Sequence, residues 1–518
     1  MPSGMKIFPL AFTNVQAGNI MMAMNVLLVY PKYPETFWSF KYALKFISKK
    51  ASFPPLGLIT VASLLPEDWN VRLLDLNVRD LADSDLDWAD MVMISAMRVQ
   101  KKSVDQVVER CRQKGIKVVG GGPLFTIDYE EFPHVDHLVL GEGELTLPRF
   151  LEDLRKGKAK HLYFPEGFAP IEETPVPAFN LAELKRYASM NVQYSRGCPY
   201  NCEFCDIPLL YGRIPRVKKP EQVLGELEEL YRLGWRGGVF FVDDNFIGNR
   251  KKLKGEFLPA LIDWMKAHRY PFSFFTEASV NLADDEELME LMVRAGFNRV
   301  FVGIESPEPE SLEECKKFQN VRRDLLKSVE KIQNFGLEVQ GGFIVGFDHD
   351  KPSTFKSQVE FIRKSKIITA MVGLLNAPKG TRLYKRLMEE GRIISNITGD
   401  NTDFSLNFIP RMGAERLIKG YKWVLKSLYS PTEYYKRVKE FLRTYTPPKK
   451  RITYIRWDHL KAFFRSIWLL GFKEKERNYY WKLLLWTLLR RPRLVPMAVS
   501  FTIYGYHFRK IYEKYWQT

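Results

Sequence analysis

Three of the chain's five cysteines fall within eight residues, in the stretch YSRGCPYNCEFCDI, at Cys198, Cys202 and Cys205. The other two, Cys111 and Cys315, stand alone. An odd number of cysteines in a long chain argues against a disulfide framework and for a reducing compartment, with cytosol as the default. A structural zinc site needs a fourth ligand close by. None is at hand, because no histidine lies between His161 and His268 and no further cysteine before Cys315. A dithiol redox pair needs only two cysteines and a different local fold. Three thiolates can hold a cubane iron–sulfur cluster that ordinarily takes four, with one iron left open. The two remaining cysteines cannot build a second complete cluster.

Other groups with chemical potential recur at the ends of strand-like runs: Asp243, Asp244 and Asn245, then Glu277 and Ser279, then Glu305 and Ser306. Taken singly, each reads as well as a helix cap or turn residue. Gly120, Gly121 and Gly122, with Gly141, Glu142 and Gly143, would let backbone approach a bulky cofactor, or would simply make tight strand–helix turns. They are no dinucleotide fingerprint, because G-x-G-x-x-G is not completed at Thr146.

The elements that must position these residues alternate. Strand-like runs at 25–31, 71–78, 90–97, 117–122 and 137–144 are separated by helical patterns such as 103–115. Continuous apolar strands between helices predict a parallel, doubly wound, Rossmann-like sheet over 25–163. A proline-punctuated linker covers 164–185. Six further strand–helix units, with strands at 191–197, 238–245, 272–279, 299–306, 338–348 and 368–381, predict a partial (β/α)6 barrel over 186–395, open along one side. Both architectures present ligands at the carboxyl ends of their strands, where the polar groups above fall. Residues 396–518 read as a helical, basic, aromatic region, and 1–24 as an N-terminal extension.

The C-x3-C-x2-C spacing, with Phe204 before the last cysteine and after the first strand of a partial barrel, resembles the signature of the radical S-adenosylmethionine (SAM) superfamily. The resemblance implies a [4Fe-4S] cluster on Cys198, Cys202 and Cys205 whose open iron is chelated by SAM. It also implies reductive cleavage of SAM to a 5′-deoxyadenosyl radical, hydrogen abstraction from an unactivated carbon, and a low-potential electron donor such as flavodoxin or ferredoxin. Asp243, Asp244 and Asn245 stand where family members bind the SAM amino group, although many have a Gly-Gly-Glu-like sequence there. Glu277, Ser279, Glu305 and Ser306 suit its ribose and amino acid moiety. GGFIVGFD, with Gly346, resembles the glycine-rich fifth strand on which adenine packs.

A doubly wound domain before such a barrel is similar to the cobalamin-binding subfamily, and most like the group of hopanoid methylases and archaeal lipid-modifying relatives. The stretches TFWSF (36–40), WADMVMISAM (88–97), GGPLF (121–125) and FFVDDNFIGNR (240–250) carry this likeness beside the cysteine loop. It implies a cobalamin site at Ser95, Gly120–Gly122, Gly141 and Glu142, and methyl transfer to, or carbon–carbon bond formation at, an unactivated carbon of a lipid. The Asp-x-His-x-x-Gly motif that supplies a lower cobalt ligand in some cobalamin proteins is absent: after the first strand the chain reads YPKYPETFW. Cobalamin-independent coupling or cyclisation of lipid chains, an RNA-modifying radical enzyme and a non-catalytic iron–sulfur module are the alternatives.

Charge separates the tail from the rest. Of the formal net charge of +17, with 78 Lys plus Arg against 61 Asp plus Glu, residues 414–518 contribute 24 against 7 and the first 413 residues 54 against 54. Basic residues beside Trp, Tyr and Leu in 458–472 and 477–516 suit helices lying in the headgroups of an anionic bilayer. Packing of those aromatics on the barrel is the plainer reading. Nucleic acid is disfavoured, because the long Leu, Trp and Phe runs suit lipid better. No run reaches the ~18 apolar residues of a spanning helix. The first 24 residues, with Lys6 as their sole charge, make a poor secretory signal, and Met24 could be the true start. The expectation is a cytoplasmic, peripherally membrane-associated protein.

Overall fold

The computed structural model describes residues 23–400, 402–447 and 457–516; the extension at 1–22 lies outside the described residues. Runs of apolar residues form strands buried on both faces, as parallel strands covered by helices require. In β1 (Asn25–Tyr30) the four central residues are all buried. With β2 (Asn70–Asp75), β3 (Met91–Ser95), β4 (Lys117–Gly121), β5 (His137–Val139) and β6 (Leu162–Tyr163) it makes a parallel sheet of order β2-β1-β3-β4-β5-β6. The order reverses beside β1, which sets the ligand crevice of a doubly wound sheet at the carboxyl ends of β1 and β3.

The second sheet begins with β7 (Met190–Val192). After a two-stranded hairpin, β8 (Ser195–Arg196) with β9 (Arg216–Val217), it continues through β10 (Gly237–Phe241), β11 (Phe272–Glu277), β12 (Phe297–Glu305), β13 (Glu338–Val345) and β14 (Ala370–Leu374). The six long strands are parallel and lie in chain order, with β7 and β14 at the edges, so the barrel is partial. Along each strand side chains alternate. Val239, Phe241, Phe274, Val300 and Val302 are buried against the outer helices, whereas Phe240, Phe275 and Phe301 point inward and stay half-buried. A closed eight-stranded barrel is filled by such inward residues. Here they line a cavity of about 2360 Å³.

The free edge is covered by the tail, as an exposed strand edge requires. Tyr421 and Tyr429, on the helix Ala414–Tyr429, donate to the carbonyls of Val372 (2.8 Å) and Ala370 (2.5 Å) on β14. The helices Pro431–Thr444, Trp457–Ser466, Arg477–Arg490 and Val495–Trp516 complete this region. A π turn at Ile467–Lys473 follows the helix Trp457–Ser466, and the chain breaks again at Pro492. The TFWSF stretch ties the first sheet to the last helix: Phe37 stacks on Phe508 at 4.1 Å, and His507 Nε2 meets the Phe37 carbonyl at 2.9 Å.

Candidate active site at the cysteine loop

The cysteine loop is the connection inside the β8–β9 hairpin, so antiparallel pairing of Ser195 with Val217 and of Arg196 with Arg216 closes its base. Further bonds fix its path. Asp243 accepts from the amides of Tyr194 (3.2 Å) and Ser195 and from the Ser195 hydroxyl at 2.5 Å. Asp244 accepts from the Gly197 amide at 2.9 Å. The Cys198 amide donates to the Gly212 carbonyl at 3.3 Å, and the Glu203 amide to the carbonyl of Cys315 at 2.9 Å. Glu203, inside the C-E-F-C run, pairs with Arg386 at 3.0 Å.

All three cysteine thiols are pushed above the ordinary thiol range, chiefly by burial; at Cys205, Asp206 and the other two cysteines add to it. The thiolate form at these positions would need a cation or cluster to stabilise it. Among the described residues no three His, Cys, Asp or Glu side chains converge on a single metal ion. Thiolates that each take a different iron of a cubane stand apart in this way, and three sulfur donors on one braced loop suit such a cluster.

Asp244 and Glu277 line the cavity, with Arg196 and Tyr211 beside them. Burial raises the Asp244 carboxyl to about 6 and the Glu277 carboxyl to about 7, the latter with help from Asp244. Asp243, raised to about 7 by burial, faces the backbone of the cysteine loop and is not in the cavity wall. Asn245 accepts from the Ser279 amide at 3.1 Å, and Ser279 donates to Asn281, which in turn donates to Tyr200 in the cysteine loop. Glu305 holds Lys317 at 2.6 Å and has a left-handed backbone, φ 64°. A Cβ on Gly303 would meet Glu305 Oε1 at 2.4 Å, so only glycine leaves room for that pair. Ser306 accepts from the Glu308 amide at 3.2 Å. Phe204 packs toward Phe347, with ring centroids 6.4 Å apart. A Cβ on Gly346 would meet Leu417 at 3.0 Å, which places this glycine against a tail helix.

On the opposite wall Ser95, Gly120, Gly121, Gly122, Gly141 and Gly143 all border the same cavity. Gly122 has φ 82°, and a Cβ there would strike the Ser95 hydroxyl at 2.4 Å, so the backbone is bare where the cavity meets β3 and β4. Space beside Gly120 is filled by Phe125 and Leu138, and beside Gly141 by Pro165. Glu142 borders the cavity too, but its carboxylate is taken by Arg196 (2.8 Å) and Arg216 (2.9 Å). With Glu144, 2.8 Å from Arg196, it clamps the first sheet to the cysteine hairpin. No histidine of residues 25–163 lines the cavity; Tyr30, at the end of β1, and Tyr33, in the loop after it, are hydrogen-bonded to each other there. A wide, apolar chamber with bare backbone on one wall fits a large planar cofactor held by packing.

Sequence reasoning missed the supports that carry no motif: Arg196, Lys317, Arg386 and Gln319, whose amide nitrogen lies 3.9 Å from Cys202 Sγ. The single available signal was that Arg196 sits two residues before Cys198.

These features define a class: a barrel enzyme with a three-cysteine cluster site facing a cobalamin-type sheet. Residues 192–362 match the radical SAM superfamily, residues 47–151 the B12 binding domain, and residues 381–518 a domain of unknown function, DUF4070. The chain is 42% identical to an uncharacterized methyltransferase of Synechocystis sp., over 95% of this chain and 92% of that protein. It is 34% identical to the hopanoid C-2 methylase of Rhodopseudomonas palustris, over 90% of each. Of solved structures, the cobalamin-dependent SAM radical enzyme OxsB superposes with a TM-score of 0.60 at 15% identity, covering 96% of this chain and 80% of that one. The radical SAM methyltransferase TsrM from Kitasatospora setae superposes with a TM-score of 0.59 at 18% identity, covering 86% and 98%. The chain belongs to the cobalamin-binding radical SAM methylase family. It is an enzyme whose cofactors are a [4Fe-4S] cluster, SAM and cobalamin, and whose reaction is cobalamin-dependent C-methylation.

Proposed function

We propose that the enzyme methylates an unactivated carbon of a lipid, either hopanoid-like or an acyl or isoprenoid chain. The observation that carries this reading is the aromatic-walled cavity of about 2360 Å³ that the barrel, the first sheet and the tail enclose together. Ordinary ligand pockets hold roughly 300–1,000 Å³. The chamber therefore has space for cofactors and a large apolar molecule together, and its walls of Phe53, Phe240, Phe275, Phe301 and Trp38 select against a polar one. The hopanoid C-2 methylase among its relatives supports the same substrate class.

When bound, the cofactors supply one-electron cleavage of SAM and methyl transfer to carbon. Cys198, Cys202 and Cys205 hold the cluster, on a loop that Asp243, Glu203 and the Cys315 carbonyl keep in place. Asp244 and Glu277 present carboxylates to the cationic end of SAM. Asn245, Ser279, Glu305 and Ser306 shape the strand ends around it, with Phe204 on the cysteine loop, whereas Gly346 packs against the tail helix. Ser95, Gly120–Gly122 and Gly141 present the wall against which cobalamin packs, and Glu142 holds that wall in register with the cysteine hairpin. The work divides among domains at 25–163, 186–395 and 396–518, with 164–185 as linker. A low-potential flavodoxin or ferredoxin approaches the loop at 316–323, where Phe318 and Arg322 are exposed and Gln319 touches Cys202.

The lipid is met at an anionic membrane. In the tail, Trp457, Leu460, Phe464 and Trp468 form one exposed helical stripe, and Leu485, Leu488 and Leu489 are exposed just before Arg490. Among the described residues no helix is long and apolar enough to cross a membrane. Exposed aromatics beside basic residues suit a helix lying in the headgroup layer.

The test is product analysis. Reduced holoenzyme, reconstituted without oxygen, is incubated with a lipid extract and SAM carrying a labelled methyl group. Label in the lipid fraction, with S-adenosylhomocysteine and 5′-deoxyadenosine formed in equal amounts, is the expected result. Label in a methylated water-soluble product other than methionine, with none in the lipid fraction, would refute a lipid substrate.

A further inference from the structure

Within the barrel the inward-facing residues are not uniform. β10, β11, β12 and β13 are in register at Phe240, Phe275, Arg299 and Glu338, and β7 joins the row with Asn191 opposite Phe240. One step further along, Phe301 pairs with Gln340. An arginine, a glutamate and a glutamine therefore stand on the cavity wall beside three phenylalanines, near the amino-terminal ends of their strands and away from the cysteine loop.

Nothing in the cluster mechanism uses them. Arg299 Nε lies 3.3 Å from a Glu338 oxygen yet is not aligned to hydrogen-bond it. The guanidinium lies over the Phe275 ring at 5.3 Å. Gln340 donates to Glu338 at 3.3 Å. Tyr504, from the last helix, lines the cavity close enough to act on the charge of Arg299. Across the chamber the Asn191 side-chain oxygen is buried without a partner. Leaving such groups unsatisfied is costly, so a barrel interior retains them where a ligand completes their hydrogen bonds.

We infer that Arg299, Glu338, Gln340 and Tyr504 form an anchor for the hydroxyl-bearing polar end of an elongated, otherwise apolar substrate. This rests on the lipid reading above. The donor set decides the chemistry. Arginine alone would take a phosphate or carboxylate, but Glu338 repels an anion and, with Gln340, supplies acceptors for hydroxyl protons. Geometry decides the shape. Five residues of β12 separate Arg299 from Glu305, a little under ~20 Å at ordinary strand rise. Phe240 and Phe275 share the anchor's row on neighbouring strands and Phe301 stands level with Gln340, so the apolar body rests on them and its reacting carbon points toward the carboxyl ends of the strands.

The experiment uses reconstituted holoenzyme and two probes with the same chain, n-octyl-β-D-glucoside and octane-1-sulfonate, each below its micelle-forming concentration and followed by calorimetry. The glucoside should bind more tightly than the sulfonate. R299M and Q340L should weaken the glucoside about tenfold each, the scale of a charge-assisted or buried hydrogen bond. Y504F, which removes one hydroxyl, should weaken it a few-fold and serves if R299M does not fold. Tighter binding of the sulfonate, or glucoside binding indifferent to all three variants, would overturn the anchor alone. Failure of both amphiphiles to bind would remove the lipid reading with it.

Discussion

At the scale of single residues, the site depends on three thiols and two carboxylates whose pKa values burial raises. Replacing any one of Cys198, Cys202 or Cys205 with alanine should cut iron from roughly four per chain to a small remainder and abolish SAM cleavage. Iron analysis and 5′-deoxyadenosine formation check this. C315A should keep the cluster, because Cys315 acts through its backbone carbonyl and its thiol faces Leu312. The carboxyls of Asp244 and Glu277, raised to about 6 and about 7, must ionise to receive a cation. SAM affinity should therefore fall as pH drops below about 7, by up to tenfold per unit for each proton that must be released. In equilibrium dialysis between pH 8 and 5.5, E277Q should bind more weakly at pH 8 and show a flatter profile. An unchanged profile would remove Glu277 from the cation site. Without ligand the sign reverses: a carboxyl with a raised folded pKa holds its proton more tightly folded than unfolded, so its contribution to stability grows as pH falls from about 7 toward 4.

At the scale of elements, the β8–β9 hairpin connects chemistry to architecture. Arg196 lies in the strand before Cys198 and is shared by Glu142 and Glu144 of the first sheet. Both carboxylates are largely buried, so R196A leaves Glu144 without its cation and Glu142 with Arg216 alone, and should cost about 3 kcal/mol of stability. Denaturant unfolding of the apoprotein measures this. R196K keeps the charge but loses the fork that spans two carboxylates, and should recover about half. Because the same hairpin carries the cysteines, both variants should also retain less iron. At the other sheet, G122A meets a positive φ and the Ser95 hydroxyl at once, and should weaken cobalamin retention after gel filtration more than it weakens iron retention.

At the scale of the whole molecule, the tail has two kinds of surroundings that its composition blends. Tyr421, Tyr429, Tyr434, Tyr480 and Tyr512 are fully buried and the first two close the barrel edge, whereas Trp457, Phe464 and Trp468 are more than half exposed. The excess of positive charge belongs to this second set of surroundings. Full-length holoenzyme should float with vesicles containing anionic phosphatidylglycerol and much less with neutral phosphatidylcholine. F464E/W468E should sink while keeping its iron and thermal midpoint, because neither side chain is part of the core. Flotation unaffected by the double change would place the membrane contact elsewhere.

Much of this was legible in the chain itself. Three cysteines at short spacing, without a partner histidine, already restrict the metal chemistry, because ligand type and spacing are local properties. The strand positions were legible for the same reason: a parallel strand buried on both faces must be continuously apolar, and all six barrel strands fall where such runs occur. Roles that depend on distant partners were not legible. Asp243 and Asp244 are adjacent and identical in type, yet one braces the cysteine loop and the other faces the cavity, since successive side chains at a strand end point to opposite sides. Glu142 reads as part of a glycine-rich cofactor loop until Arg196 and Arg216, more than fifty residues away, are found to neutralise it. Arg299, Glu338 and Gln340 are unremarkable in sequence, and strand register alone brings them to one wall. Sequence determined which chemistry the chain can do. Tertiary structure decided which carboxylates are free to do it and which shape of molecule the barrel admits, because a charge is useful or spent according to what folding brings within a few ångströms of it.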